Sequence, residues 1–183
     1  MSKNRVRIEQ TRVVKQFMEG HHRRRRFRRE RRALRRLRCV DGIPRVLESR
    51  SERLQLMIER VPGRPFRDGR EVAPTFYRQL NALVERMLEQ GVARHSMPPR
   101  DVIVRPDGSP GLVDYERVTL RHWRWSPVWL VARAVTRFHM LRFVGDHAPQ
   151  LLDAPQRHRL RWQRRLRARF RRYLEWRRHA SAS

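Results

Sequence analysis

The run from His21 to Arg38 holds eleven arginines and neither glycine nor proline, and it limits this chain more than any other segment does. So many guanidinium groups cannot be buried together. A helix is the regular element that gathers Phe27, Leu34 and Leu37 on one face and leaves the arginines in water. Glu30, the one acid between Gly20 and Arg38, falls on that apolar face. A carboxylate there calls for a cation, because an unpaired buried charge costs several kcal/mol. An arginine of the same helix could supply it, and so could a lysine from a neighbouring strand.

Around this helix the pattern is mixed. Arg5 to Glu9 and Arg12 to Phe17 read as short strands about Gln10-Thr11. Asp41-Gly42-Ile43-Pro44 ends the helix, Arg45 to Glu48 and Leu54 to Glu59 read as two more strands, and Pro62-Gly63-Arg64-Pro65 reads as a linker. A second helix is expected over Pro74 to Gln90, with Phe76, Leu80, Leu83, Val84, Met87 and Leu88 inward and Gly91 as its stop. Val92 to Arg100 reads as a loop. Asp101 to Val104 and Gly111 to Asp114 then form a hairpin with Asp107-Gly108 at its tip. Trp129 to Val144 and Gln156 to Arg178 have amphipathic helical spacing. In the latter, Trp162, Leu166, Phe170, Tyr173 and Leu174 face one way. No internal repeat is present.

With 183 residues the chain has room for one domain with a core. Its formal charge is +27, which favours polyanionic partners: nucleotide phosphates, nucleic acid or anionic lipid. All but two of the 45 basic residues, Lys3 and Lys15, are arginines, and an arginine preference of this kind also arises from codon usage in a GC-rich genome. Cys39 is the single cysteine, which excludes an intrachain disulfide and a cysteine metal cluster. Pro127 to Val144 is interrupted by Arg133, Arg137 and Arg142, and Met1 to Arg12 is polar, so neither a span nor a signal peptide is expected. These features point to a cytoplasmic protein, at most peripheral at the inner membrane.

Against so much arginine, a lysine closing the apolar strand Val13-Val14-Lys15 stands out. A compact ammonium suits a point contact to phosphate oxygens, although a solvated edge lysine would look the same. The stretch Arg94-His95-Ser96-Met97-Pro98-Pro99-Arg100-Asp101-Val102-Ile103-Val104, followed by Leu112-Val113-Asp114-Tyr115-Glu116, resembles the catalytic loop and metal hairpin of the protein-kinase superfamily. Asp114 matches the metal-binding aspartate. Asp101 stands at the position of the asparagine, where a carboxylate oxygen can still ligate Mg²⁺. Compact bacterial members, of the RIO-type and lipopolysaccharide core-sugar kinases, look most similar.

That resemblance implies an α+β, two-lobed protein-kinase-like fold over residues 1–183. Residues 1–61 would form a truncated strand-rich N-lobe and 62–183 a helical C-lobe with arginine-rich C-terminal helices. It also implies an ATP site in which Lys15 pairs with Glu30, the Glu59 and Val61 backbone meets adenine behind Ile58, and Asp101 and Asp114 hold Mg²⁺. The pattern departs where catalysis is concerned. Ser96 takes the place of the catalytic aspartate and Arg94 that of the histidine. Glu116 replaces a glycine, and the fourteen residues before Lys15 leave no glycine-rich loop to cover phosphates. A serine is not a general base at neutral pH without another base beside it.

A degenerate kinase acting by binding or as a scaffold is therefore the leading expectation, with nucleotide, a protein, an anionic membrane surface or a lipopolysaccharide precursor as partner. The alternatives are an active kinase for a lipopolysaccharide core sugar or a protein, and an arginine-rich nucleic-acid-binding module. The last is disfavoured because no reading motif accompanies the charge, and Trp162, Phe170, Tyr173 and Trp176 fall on an apolar stripe.

Overall fold

The computed structural model describes residues 4–18, 20, 22–69, 72–162 and 165. It is a mixed α and β structure with small antiparallel sheets. By internal packing it separates into two compact units, Met1–Met140 and Leu141–Ser183.

In the first unit, β1 (Asn4–Ile8), β2 (Arg12–Phe17), β3 (Val46–Arg50) and β4 (Gln55–Glu59) form an antiparallel sheet in the order β1-β2-β4-β3. The helix α1 (Arg23–Arg36) crosses from β2 to β3. Side chains two apart on a strand share a face, so Lys15 and Phe17 both turn inward, where each is buried. Phe27 and Glu30, three apart on α1, turn toward them. The Phe17 and Phe27 rings meet edge to face at 5.7 Å. Leu34, Leu37, Leu56 and Ile58 complete this part of the core, each contributing roughly 1.5–3 kcal/mol by leaving water.

The segment expected to be a plain linker is partly a strand. Arg64–Pro65 forms β5 and pairs with β7 (Val102–Val104), which also pairs with β8 (Pro110–Leu112). Gly63 sits just before it at φ +125, and a Cβ there would fall 2.2 Å from the Val104 carbonyl oxygen. The hydrogen bonds of so short a strand come from a distant hairpin, which local composition does not reveal. The hairpin itself follows expectation, with Asp107-Gly108 at its tip and the Arg105 N–H donating to the Ser109 carbonyl at 2.9 Å. Leu112 N–H donates to the Gly42 carbonyl at 2.9 Å. Gly42, at φ +82, lies so close to the hairpin that a Cβ would meet Pro110 O at 2.7 Å.

Helix α2 (Pro74–Glu89) buries the expected stripe and Tyr77 beside it, and Phe66 stacks on Phe76 at 5.9 Å. The expected loop after Gly91 begins instead with β6 (Val92–Arg94), paired with β9 (Val118–Leu120). Three residues are too few to show a strand period, so this pairing was hidden in the sequence.

Helix α3 (Pro127–His147) runs across the boundary between the units. Within the second unit, Phe143, Ala148, Leu152 and Leu160 are buried. The helix over 154–162 opens with a reciprocal cap: Gln156 N–H donates to Asp153 Oδ1 at 2.7 Å, and Asp153 N–H donates to Gln156 Oε1 at 3.1 Å. Trp162, expected on the apolar stripe, is 56% exposed, and Leu160 packs inward instead. Leu166, Phe170, Tyr173, Leu174 and Trp176 lie outside the described residues. No helix among the described residues is long and apolar enough to cross a membrane.

Candidate functional site

Three elements deliver charge to one point. Lys15 leaves the middle of β2, and its Nζ donates to Glu30 Oε1 at 2.9 Å and Oε2 at 3.2 Å from α1. The same ammonium donates to Asp114 Oδ1 at 3.1 Å, just beyond the β7–β8 hairpin, and lies 3.4 Å from Glu116 Oε1. Glu116 is further held by Arg26 at 3.4 Å and by the Asn4 side-chain amide. The Tyr115 N–H donates to Glu30 Oε1 at 3.4 Å. The lysine–glutamate pair expected between strand and helix is thus present. Glu116 is the member that sequence reasoning passed over. Its signal was the scarcity of acid: with 18 acidic residues in a chain this basic, Asp114 and Glu116 two positions apart after a strand is a conspicuous pairing.

Asp114 reaches Lys15 because its backbone is left-handed, at φ +65. Non-glycine residues adopt that conformation seldom, and aspartate tolerates it better than most. The turn throws its carboxylate back toward β2 and lets its Oδ1 accept from the Glu116 N–H at 3.5 Å. Burial pushes Glu30 above the ordinary carboxylate range, against the pull of Lys15. Burial also opposes ionisation of Asp114, but there the Lys15 charge and hydrogen bond win and its pKa falls below the usual value. Lys15 is depressed by burial and raised more strongly by Glu30 and Asp114, so it is held firmly protonated.

Asp101 is placed differently. Its Oδ2 accepts from Arg94 Nη2 at 2.7 Å, and that pair is buried. Arg94 also donates to the Val113 carbonyl at 2.7 Å and the Ser96 carbonyl at 3.2 Å, and lies 5.2 Å over the Tyr115 ring. Burial raises the pKa of Asp101, Arg94 opposes that rise, and the charge of Asp114 adds to it. The oxygens that could share one metal ion therefore come from Glu30, Asp114 and Glu116, which lie within 4.8 Å of one another, rather than from Asp101. These donors fit Mg²⁺ by chemistry, being hard oxygens. Asp114 also has access, its side chain being 48% exposed. Lys15 already neutralises part of the cluster, and Glu30 and Glu116 are far less open to solvent than Asp114.

Ser96 is exposed, beside His95, whose Nε2 lies 2.8 Å from Thr119 Oγ1. The imidazole is thus engaged with β9. Glu59 ends β4 in register with Arg12, and its N–H donates to the Arg45 carbonyl at 2.8 Å. Val61 follows, near enough to the hairpin that a Cβ on Gly111 would meet its Cγ1 at 2.7 Å. Ile58 is buried.

No protein-family model matches this chain, and no curated protein matches it in sequence. The functional reading rests on the geometry of the site.

Proposed function

We propose that this chain is a degenerate protein-kinase-like protein that binds a Mg²⁺–nucleotide at Lys15, Glu30, Asp114 and Glu116 and acts through binding rather than phosphoryl transfer. The observation that carries this reading is the convergence of Lys15, Glu30 and Asp114, at 2.9 Å and 3.1 Å, from a strand, a helix and a hairpin end. In a kinase such an arrangement positions phosphates and metal. The four-stranded sheet with α1, followed by α2 and the hairpin, supports a two-lobed kinase-like order, with the backbone from Glu59 to Val61 between the parts, where the Glu59 and Arg60 N–H groups already donate to the Arg45 and Thr11 carbonyls.

Two features favour the degenerate form. Ser96 stands at the base position, and losing a general base costs about 10²–10⁴ in rate. The β1–β2 connection is Glu9-Gln10-Thr11, without the glycines that would let backbone N–H groups close over phosphates.

Thermal melting of the full chain with Mg²⁺ and ATP tests the reading. Nucleotide at about 100 times its Kd stabilises the folded state by about 2.7 kcal/mol, so the wild-type melting temperature should rise and the Asp114→Asn variant should lose the rise. No shift with either would end the nucleotide reading. Radiolabel transfer from ATP to protein or lipid extracts should be absent. Robust transfer that vanishes in Asp114→Ala would instead make the chain a working phosphotransferase.

A further inference from the structure

The face of α1 turned away from Glu30 forms a wall of a groove of about 900 Å³. Arg24, Arg25, Arg28, Arg29 and Arg32 line that wall, and His95, Thr119, His122, Trp123 and Trp129 lie among the residues facing it. At about 100° per residue, all five arginines sit between about 100° and 160° around the helix from Glu30. The acid–lysine cluster and this groove therefore use different sides of one helix. None of the five forms an ion pair with a carboxylate among the described residues. Burial together with repulsion from Arg25 lowers the pKa of Arg29, and no carboxylate among the described residues neutralises the wall.

A second groove of about 490 Å³ adjoins it, sharing His95, Thr119 and Val128. The rest of its lining is Pro127, Val131, Ala132 and Val135 from the first turns of α3. Val128 and Val131 are 67% and 64% exposed, an arrangement that costs free energy while these side chains face water. A trough of guanidinium groups with no carboxylate partner among the described residues, continuous with a strip of exposed valines, matches one kind of molecule: an anionic head attached to a hydrocarbon chain.

The geometry points to this pair of grooves as a binding site for a phosphorylated lipid, with the phosphate head against Arg25, Arg28, Arg29 and Arg32 and an acyl chain along Val128, Val131 and Val135. Guanidinium groups bind phosphate through paired N–H donors, and Trp123, 59% exposed in the first groove, has the amphipathic ring that favours a membrane–water interface. A single-stranded nucleic acid would use the arginines and tryptophans but has no use for the valine strip. This site is separate from the nucleotide site, and neither proposal depends on the other.

Vesicle co-sedimentation of the full chain tests it, comparing phosphatidylcholine alone with phosphatidylcholine containing phosphatidic acid. Wild type should bind only the second. The Arg25→Ala/Arg29→Ala double variant should bind about thirty-fold more weakly, at about 1 kcal/mol per arginine, and Arg24→Ala/Arg28→Ala gives an independent reading should the first pair fold poorly. Val131→Asp, at an exposed position, should also weaken binding, while Arg45→Ala/Arg53→Ala, outside the grooves, should leave it within about twofold. Equal loss from both sets of arginines would mean diffuse surface charge and would overturn the proposal. So would binding that Val131→Asp leaves intact, or preferential binding of a single-stranded oligonucleotide that Val131→Asp does not change. Glycerol 3-phosphate, a head without a chain, should compete weakly, and competition equal to that of a short-chain phosphatidic acid would reduce the site to one for free phosphate and overturn the acyl-chain assignment.

Discussion

Arg94 and Asp101 are joined by a 2.7 Å ion pair that is almost wholly buried, and the same guanidinium donates to the Val113 carbonyl at 2.7 Å. One side chain from β6 thus fixes both ends of the hairpin segment, at Asp101 before it and Val113 after it. It does so one residue from Asp114, whose carboxylate must meet Lys15.

Removing one partner of such a pair leaves the other charged and buried, a loss of about 3–5 kcal/mol. Arg94→Met is expected to fall in that range in urea unfolding. The Arg94→Met/Asp101→Leu double variant should lose less than the sum of the singles, because the stranded carboxylate is gone. A cost for Arg94→Met below about 1 kcal/mol would show that the guanidinium does not hold the hairpin.

Lys15 and Glu30 invite the same cycle with a sharper asymmetry. Lys15→Met leaves Glu30 fully buried without its cation, with only the Tyr115 N–H as a partner among those described above. Burial already raises the Glu30 pKa, so the variant should take up a proton there. A carboxylate whose folded pKa is raised weakens the fold as pH climbs from its unfolded value through its folded one. Relative to wild type, Lys15→Met should therefore lose stability as pH rises from about 4 toward neutrality, and Lys15→Met/Glu30→Gln should abolish that difference in slope. A pH profile in the single variant parallel to that of wild type would contradict a buried, lysine-dependent Glu30.

His95 gives a prediction in the opposite sense. Burial, then the charges of Arg29 and Arg117, lowers its pKa below the ordinary 6.5. The unfolded chain binds the proton more readily, so the contribution of His95 to stability is present above pH 6.5 and is lost as pH falls through the folded pKa. His95→Gln should flatten the stability profile in that window. An unchanged slope would place the titration elsewhere.

Much of this arrangement was legible because it follows from short periods. The two-residue period of β2 put Lys15 beside Phe17, and the helical period of α1 put Glu30 beside Phe27, so the pairing of Lys15 with Glu30 needed only strand and helix to touch. The stripe of α2 and the Asp107-Gly108 turn were local in the same way. What escaped was set by distance along the chain. β5 and β6 are two and three residues long and exist only through partners tens of residues away. Asp101 was expected beside the metal because it stands at the position of the asparagine in the kinase resemblance. Arg94, seven positions earlier, claims it, and no periodicity announces a contact of that kind. Glu116 was read only as a replacement for glycine, yet it faces Lys15 and Arg26.

Thr136 Oγ1 lies 2.9 Å from both the Arg94 carbonyl and the Ala132 carbonyl, linking α3 to β6. Its single proton is shared between the two acceptors. Thr136→Val should cost about 1 kcal/mol or slightly more, since the hydroxyl is fully buried and an acceptor is left unpaired. Thermal unfolding of the pair of proteins checks it, and a stabilised valine variant would rule the hydrogen bond out as a tie between the elements.

The β5–β7 pairing has a consequence for how a ligand would arrive. Arg64–Pro65 is stitched to the hairpin, and the hairpin is stitched again to the turn after α1 by the Leu112 N–H on the Gly42 carbonyl and by Arg105 on Asp41 at 2.8 Å. Sheet, helix and hairpin are fastened at two separate seams, which leaves Val61 to Gly63 as a very short stretch for any swing. The proposed nucleotide site, if held this way, would be in place before its ligand comes. In stopped-flow mixing with nucleotide, the observed rate should climb linearly with concentration and show no plateau, because no slower closing step follows the encounter.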